Sequence, residues 1–167
     1  NSMYNGGVAT VGTDIYIFYT YSHSYNNLNS YAYKYDTLTD TYTKLTDIPH
    51  DFTNSGVVAI GTDIYSFNSY SNDEYYSNVY KYNTLNGTYI KLTDTPYEYY
   101  GAHGIVAIGT NIYLLGGYDS LTNNYKYNTL TDTYTKLTDI PYNYYNGGVV
   151  AIGTDIYILG GGTENGC

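Results

Sequence analysis

The sequence "YKYNTLTDTYTKLTDIP" occupies Tyr125–Pro141, and two close copies of it occur earlier in the chain. They read "YKYDTLTDTYTKLTDIP" at Tyr33–Pro49 and "YKYNTLNGTYIKLTDTP" at Tyr80–Pro96. In every copy the second tyrosine lies seven residues before the next tyrosine, which lies seven residues before the proline. The alternating side chains predict two short strands, and the Asp, Asn and Gly residues between them predict a tight turn. The chain therefore repeats a β-hairpin three times.

A second recurring pattern alternates with these hairpins along the chain. It reads "GVVAIGTDIY" or a near variant, and its central glycines are 49, 48 and 44 residues apart, at Gly12, Gly61, Gly109 and Gly153. Two apolar, β-branched runs joined by Gly-Thr predict a further hairpin. Each repeat thus contains four strands, here called a, b, c and d, and this period is typical of a four-stranded propeller blade. The loop between strands b and c varies in length.

The repeat resembles the kelch repeat family over essentially the whole chain. The family's double glycine after strand b occurs in "IYLLGG" (Ile112–Gly117) and "IYILGG" (Ile156–Gly161), whereas the first two repeats read "FYT" and "FNS" there. Tyr127 matches the family's tyrosine, and Tyr134 stands where the family has tryptophan. Tyrosine keeps a large ring at that position and adds a hydroxyl that needs a partner. The resemblance implies an all-β fold of kelch-type β-propeller blades, each with four antiparallel strands.

The chain holds about three and a half such repeats. We predict a single domain over residues 1–167, with repeats at 6–54, 55–102 and 103–146, a partial repeat at 147–161 and a tail at 162–167. Propellers close with four or more blades, and the last repeat has strands a and b only. An unpaired edge strand is a site of association, so we predict possible self-association through the incomplete fourth blade.

Composition narrows the classes of partner. The net charge is −9, the six cationic residues are all lysine, and 28 residues are tyrosine. This charge disfavours nucleic acid, which needs clustered basic residues, and no stretch has the apolar length for membrane insertion. Cys167 is the only cysteine, so no internal disulfide is expected. The Asn-, Thr- and Tyr-rich strand surfaces favour an extracellular or cell-surface location.

A binding surface is predicted on one face of the blades. In kelch-like blades the b–c and d–a loops emerge on the same face, and the d–a loops here are rich in aromatic residues. Rigid amphipathic rings of this kind stack on sugars and anchor protein partners. The alternative is that half of them only fill space between blades. The candidate ligand-binding residues are Tyr4, His50, Phe52, Tyr97, Tyr99, Tyr100, His103, Tyr142, Tyr144 and Tyr145.

Catalytic chemistry finds little support. The three histidines fall at unrelated positions of the repeat, and no nucleophile, zinc or phosphate-binding motif occurs. We therefore expect no catalytic residues, no metal and no cofactor, and a non-enzymatic binding module whose partner is a protein or a glycan. One alternative is a self-assembling structural protein whose incomplete propeller is closed by other copies. A weaker alternative is a carbohydrate-active enzyme that depends on His50 or His103.

Overall fold

The computed structural model describes residues 2–22, 28–49, 56–71, 74–96, 104–116, 122–144 and 147–161. These residues form fourteen β-strands and no helix. The all-β prediction is confirmed. The strands are grouped by repeat in three four-stranded antiparallel sheets and one two-stranded sheet.

The three complete sheets, here called blades 1, 2 and 3, have their strands in chain order. Blade 1 contains β1 (Ser2–Val11), β2 (Asp14–Ser22), β3 (Leu28–Asp36) and β4 (Thr41–Lys44). Blade 2 contains β5 (Gly56–Ile60), β6 (Asp63–Ser71), β7 (Glu74–Asn83) and β8 (Thr88–Lys91). Blade 3 contains β9 (Gly104–Ile108), β10 (Asn111–Leu115), β11 (Asn124–Asn128) and β12 (Thr133–Lys136). The two-stranded sheet, here called the half blade, contains β13 (Gly148–Ile152) and β14 (Asp155–Leu159).

The turns between strands explain why the repeat folds as hairpins. Each a–b turn is Gly-Thr, and its glycine has a positive φ of 59° to 64°, which glycine adopts at low cost. In each c–d turn the last residue of strand c accepts hydrogen bonds from two backbone amides ahead of it, as Asp36 does from Leu38 and Thr39 at 2.9 and 3.0 Å. The next threonine, such as Thr37, donates to a carbonyl of the a–b turn. The a–b and c–d turns therefore lie on the same face, and the b–c and d–a connections leave from the opposite end of the strands.

The core lies between neighbouring blades. Strand a of each blade contacts strand a of the next, from β1 through β5 and β9 to β13. Between blades 1 and 2, Tyr16 and Phe18 pack against Ile64 and Tyr82. Between blades 2 and 3, residues at corresponding positions pack in the same way. Each large apolar side chain buried in these layers contributes about 1.5–3 kcal/mol, so each blade is stabilised mainly by its neighbours.

Candidate binding surfaces

The predicted loop surface is described at three of its ten residues. Tyr4 lies in β1 opposite Thr20, near a β-bulge. Tyr142 and Tyr144 lie in the segment after β12. The remaining seven lie outside the described residues: His50, Phe52, Tyr97, Tyr99, Tyr100, His103 and Tyr145. Whether the ten form one binding surface remains a prediction.

Tyr142 and Tyr144 differ sharply in exposure. Tyr142 is 49% exposed, whereas Tyr144 is completely buried. The Tyr144 ring lies against two glycines, and a Cβ atom placed on Gly104 would come within 3.2 Å of it. Burial raises the pKa of the Tyr144 hydroxyl, and Tyr142 nearby raises it further. Tyr144 therefore fills space between blade 3 and the half blade, as the packing alternative predicts.

The half blade presents an apolar face at one end of the array. Four side chains on this face are exposed: Val150 (44%), Ile152 (63%), Tyr157 (46%) and Leu159 (62%). In blade 2 the residues corresponding to the last two are Tyr65 and Phe67, which are 5% and 0% exposed because blade 3 covers them. The exposed face thus has the composition of an inter-blade contact.

Blade 1 presents the complementary face at the other end. Val8 and Tyr42 are 59% and 65% exposed there. The Tyr42 ring lies 4.8 Å from the Tyr35 ring, a contact repeated between Tyr127 and Tyr134 at 4.8 Å. In blade 3 the corresponding pair packs against blade 2, and Tyr127 is completely buried. Both ends of the array therefore carry one half of a contact that the interior forms twice.

A charged contact joins blades 2 and 3. Asp132, in the c–d turn of blade 3, accepts hydrogen bonds from the Thr93 amide at 3.1 Å and the Thr93 hydroxyl at 2.9 Å. The Tyr127 hydroxyl also donates to Asp132, at 2.7 Å. Burial alone would raise the pKa of Asp132, but the hydrogen bonds from Tyr127 and Thr93 outweigh it and lower that pKa. The sequence pattern explains this aspartate only as a residue of the c–d turn. The contact joins residues 39 positions apart, which no feature of a single repeat could reveal.

Two of the three tyrosines that stand where kelch repeats have tryptophan use their hydroxyl groups between blades. The Tyr134 hydroxyl donates to the Thr93 carbonyl at 3.1 Å, and the Tyr89 hydroxyl donates to the Thr46 carbonyl at 3.4 Å. Burial raises the pKa of both hydroxyls, so each remains a neutral donor. The partner that the added hydroxyl needs is therefore the end of the preceding blade.

In the part of the chain that the structure describes, no group of three or more His, Cys, Asp or Glu residues is arranged to hold a metal ion. Over the same ranges no helix is long and apolar enough to cross a membrane.

Comparisons with known proteins agree with this architecture. Residues 100–141 match the family model described as Kelch motif. The solved structure of YjhT superposes with a TM-score of 0.78 at 12% identity, covering 93% of this chain and 58% of that one. A comparison with curated protein sequences finds no significant match.

The fold and these matches define an array of propeller blades. The resemblance to the kelch repeat is confirmed by the match over residues 100–141, and the chain folds into four-stranded antiparallel blades like those of a kelch-type β-propeller. It spans little more than half the length of YjhT.

Proposed function

We propose that the chain is a non-enzymatic kelch-repeat module that binds a protein or glycan through its Tyr-rich loop surface. The observation that carries this proposal is the contrast between Tyr142 and Tyr144. One ring is half exposed, while the other, two residues away, is buried against Gly104 and Gly147 and anchors its own side chain in the core. An exposed tyrosine ring loses little conformational entropy on binding, so Tyr142 is a favourable contact group. The net charge of −9 and the Asn/Thr-rich surface favour a neutral polar or cationic partner, and an extracellular or cell-surface location.

Two substitutions distinguish specific binding at this surface from nonspecific binding to any exposed tyrosine. Binding of a panel of neutral oligosaccharides is measured by NMR titration for the native chain, Tyr142→Ala and Tyr42→Ala. Tyr42 is the matched control because it is exposed but lies on strand β4. Tyr142→Ala should weaken binding about tenfold, the loss expected for one aromatic anchor, and Tyr42→Ala should leave it unchanged.

Binding of a protein partner at Tyr142 needs a different probe. A photoreactive benzophenone amino acid replaces Tyr142 in one variant and Tyr42 in another, and each is irradiated with the secreted proteins of the source culture. Products formed only at position 142 would support a protein partner. Oligosaccharide binding that survives Tyr142→Ala, together with cross-links formed equally at both positions, would contradict a loop-surface function.

A second function, self-assembly, is favoured by the exposed end faces. Apolar side chains at the end of the half blade, such as Tyr157 and Leu159, match those that the interior of the array buries. Head-to-tail packing of copies would cover them, and such contacts form rings or filaments. Light scattering of the chain at increasing concentration tests this: we expect a mass above 18.7 kDa that falls in a Leu159→Ser variant. A monomer at all concentrations would contradict self-assembly and leave the loop-surface proposal intact.

A further inference from the structure

The c–d turns of the complete blades bring together two side chains that are two residues apart in the sequence. In blade 1 the hydroxyl oxygens of Thr39 and Thr41 are 2.8 Å apart, and in blade 3 those of Thr131 and Thr133 are also 2.8 Å apart. All four of these side chains are exposed. The repeat therefore holds these two positions within hydrogen-bond distance on an exposed turn.

Blade 2 has a different pair of residues at these positions, Asn86 and Thr88. The Thr88 hydroxyl donates a hydrogen bond to Asn86 Oδ1 at 2.7 Å, and the Thr88 amide donates to the same oxygen at 3.1 Å. With Gly87 between them they form Asn-Gly-Thr, which is the only Asn-x-Ser/Thr sequence in the 167 residues. This tripeptide is the acceptor of N-linked oligosaccharides in secreted proteins.

The structure leaves the side-chain amide of Asn86 accessible for this modification. The residue is exposed. Both hydrogen bonds to its side chain end on Oδ1, and among the described residues Nδ2 has no hydrogen-bond partner. Nδ2 is the atom that would carry the sugar, so the turn fixes one end of the amide and leaves the reacting end free.

The c–d turn of blade 2 also differs from the other two in charge. Residues 83–88 read "NTLNGT", whereas the turn of blade 1 contains Asp36 and Asp40 and the turn of blade 3 contains Asp132. Leu85, next to Asn86, is 79% exposed. Because a glycan is bulky and solubilising, it would give this uncharged turn the hydration that carboxylates give to the others.

A glycan at Asn86 would leave the proposed loop surface open. The Thr84 hydroxyl donates to the Thr62 carbonyl at 2.8 Å, so the c–d turn of blade 2 lies beside its a–b turn. The d–a connections, which include Tyr142, leave from the opposite end of the strands. Glycosylation and binding at Tyr142 therefore use different faces of the array.

We propose that Asn86 is an N-glycosylation site that accepts an oligosaccharide from a lipid-linked diphosphate donor during export. In the transfer, Nδ2 forms a bond to the anomeric carbon of the first sugar, and the bond from that carbon to the phosphate oxygen breaks. The lipid diphosphate leaves, and Nδ2 gives up one proton to a base of the transferase. The inference rests on the extracellular or cell-surface location proposed above and is independent of the loop surface.

The test uses the full chain, secreted by a eukaryotic cell line behind a cleavable signal sequence. Intact and peptide mass spectra are recorded before and after peptide N-glycosidase treatment in heavy-oxygen water. The heavy label identifies aspartate formed by glycan release, because aspartate formed earlier by hydrolysis of the Asn86 amide is unlabelled. We expect a mass above 18.7 kDa and a glycan on the peptide that contains Asn86.

Four variants assign the modification to this turn. Asn86→Gln and Thr88→Ala should abolish it, whereas Thr88→Ser should retain it, because serine keeps the hydroxyl that the acceptor sequence requires. Combining Thr39→Asn with Asp40→Gly moves the tripeptide to the corresponding turn of blade 1 and should add a second glycan. The glycosylated chain and Asn86→Gln should have melting temperatures within about 2 °C of each other, since the modified side chain is exposed.

Each outcome decides the proposal. A glycan on Asn86 that follows these variants and leaves the melting temperature unchanged supports it. A secreted chain whose Asn86 is unmodified overturns it, whether or not the added tripeptide of blade 1 takes a glycan. A mass increase that survives Thr88→Ala also overturns it, because the sugar is then attached elsewhere. Oligosaccharide binding by Asn86→Gln is measured in parallel, so a failure of the glycosylation site is distinguishable from a failure of the loop-surface function.

Discussion

The contact between blades 1 and 2 and the contact between blades 2 and 3 use the same repeat positions but differ in several of their residues, and two of these differences bear most directly on the strength of each contact. On the strand b face that meets the preceding blade, blade 2 has Ser66 and blade 3 has Leu114. Leu114 is completely buried, whereas Ser66 lines a small cleft with a cavity volume of about 10 Å³ beside Phe18 and Tyr82. The first contact is therefore less densely packed than the second.

The second difference lies in the c–d turn. Blade 3 has Asp132, which binds Tyr127 and Thr93 across the contact, and blade 2 has Gly87 at the same position. A Cβ atom at Gly87 would lie 3.7 Å from the Tyr82 hydroxyl and 3.5 Å from the Thr46 hydroxyl. The repeat thus sets the backbone of every contact, and single side chains set its strength. We expect the contact between blades 2 and 3 to be the stronger one.

The largest expected effect comes from truncating the better-packed side chain. Leu114→Ala should lower the free energy of unfolding by about 3 kcal/mol, because it removes buried methyl groups and leaves a cavity. Ser66→Ala is the matched control at the same position of blade 2, and it should change stability by less than about 1 kcal/mol. Urea unfolding followed by tyrosine fluorescence measures both. Equal losses would show that the two contacts do not differ in packing.

Removing the Asp132 carboxylate of blade 3 should have the next largest effect on stability. Asp132→Gly should cost about 2 kcal/mol, because Tyr127 and Thr93 lose a charged acceptor in a partly buried contact. Glycine suits the positive φ of 54° at this position, so backbone strain does not contribute. Asp40→Gly is the control: Asp40 is at the same place in blade 1 and accepts from Tyr35 at 2.9 Å in an exposed setting. It should cost about 0.5 kcal/mol, and an equal loss in both variants would mean that the cross-blade bonds contribute nothing.

Acid should reduce this difference. The pKa of Asp132 is lowered in the folded chain. Its contribution is therefore fully present above the ordinary carboxyl value of 3.8 and is lost as the pH falls through the lowered pKa. The gap in melting temperature between the native chain and Asp132→Gly should be constant from about pH 5 to 8 and shrink below about pH 4. A gap that persists at about pH 2 would show that the carboxylate charge is not the stabilising element.

The fold could be predicted because each of its signals is local and occurs several times. The Gly-Thr turns and the alternation in "YKYN" specify hairpins without reference to other repeats, and the spacing of Gly12, Gly61 and Gly109 gives the size of a blade. The lengths of β2 and β3 were less predictable. Both have nine residues and continue into the b–c segment, whose length varies between repeats. Pairing in that segment depends on the strand beside it and not on a repeated pattern.

The candidate surfaces were only partly predictable for a physical reason. Tyr142 and Tyr144 are chemically identical and two residues apart, yet one is exposed and the other is buried. The difference depends on Gly104 and Gly147, which leave room for the Tyr144 ring between blade 3 and the half blade. The role of Asp132 likewise depends on Thr93 in another blade. Contacts between repeats are properties of pairs of sequences, and a pattern within one repeat cannot specify them.

The smallest expected effect comes from strengthening the contact between blades 1 and 2, so that it resembles the contact between blades 2 and 3. Gly87→Asp places a carboxylate near the hydroxyls of Tyr82 and Thr46, which correspond to Tyr127 and Thr93 of the stronger contact. The φ of Gly87 is 70°, and aspartate occupies this turn position at 56° and 54° in the other two blades, so part of the gain is offset by strain. We expect a net stabilisation of about 0.5 kcal/mol, measured by urea unfolding at pH 7 and lost by about pH 2, where the new carboxyl is protonated. Gly87→Ala supplies the control, because it introduces the same backbone strain without a carboxylate. If Gly87→Asp is no more stable than Gly87→Ala at pH 7, the carboxylate does not reach its partners, and the difference between the two contacts comes from packing rather than from the carboxylate.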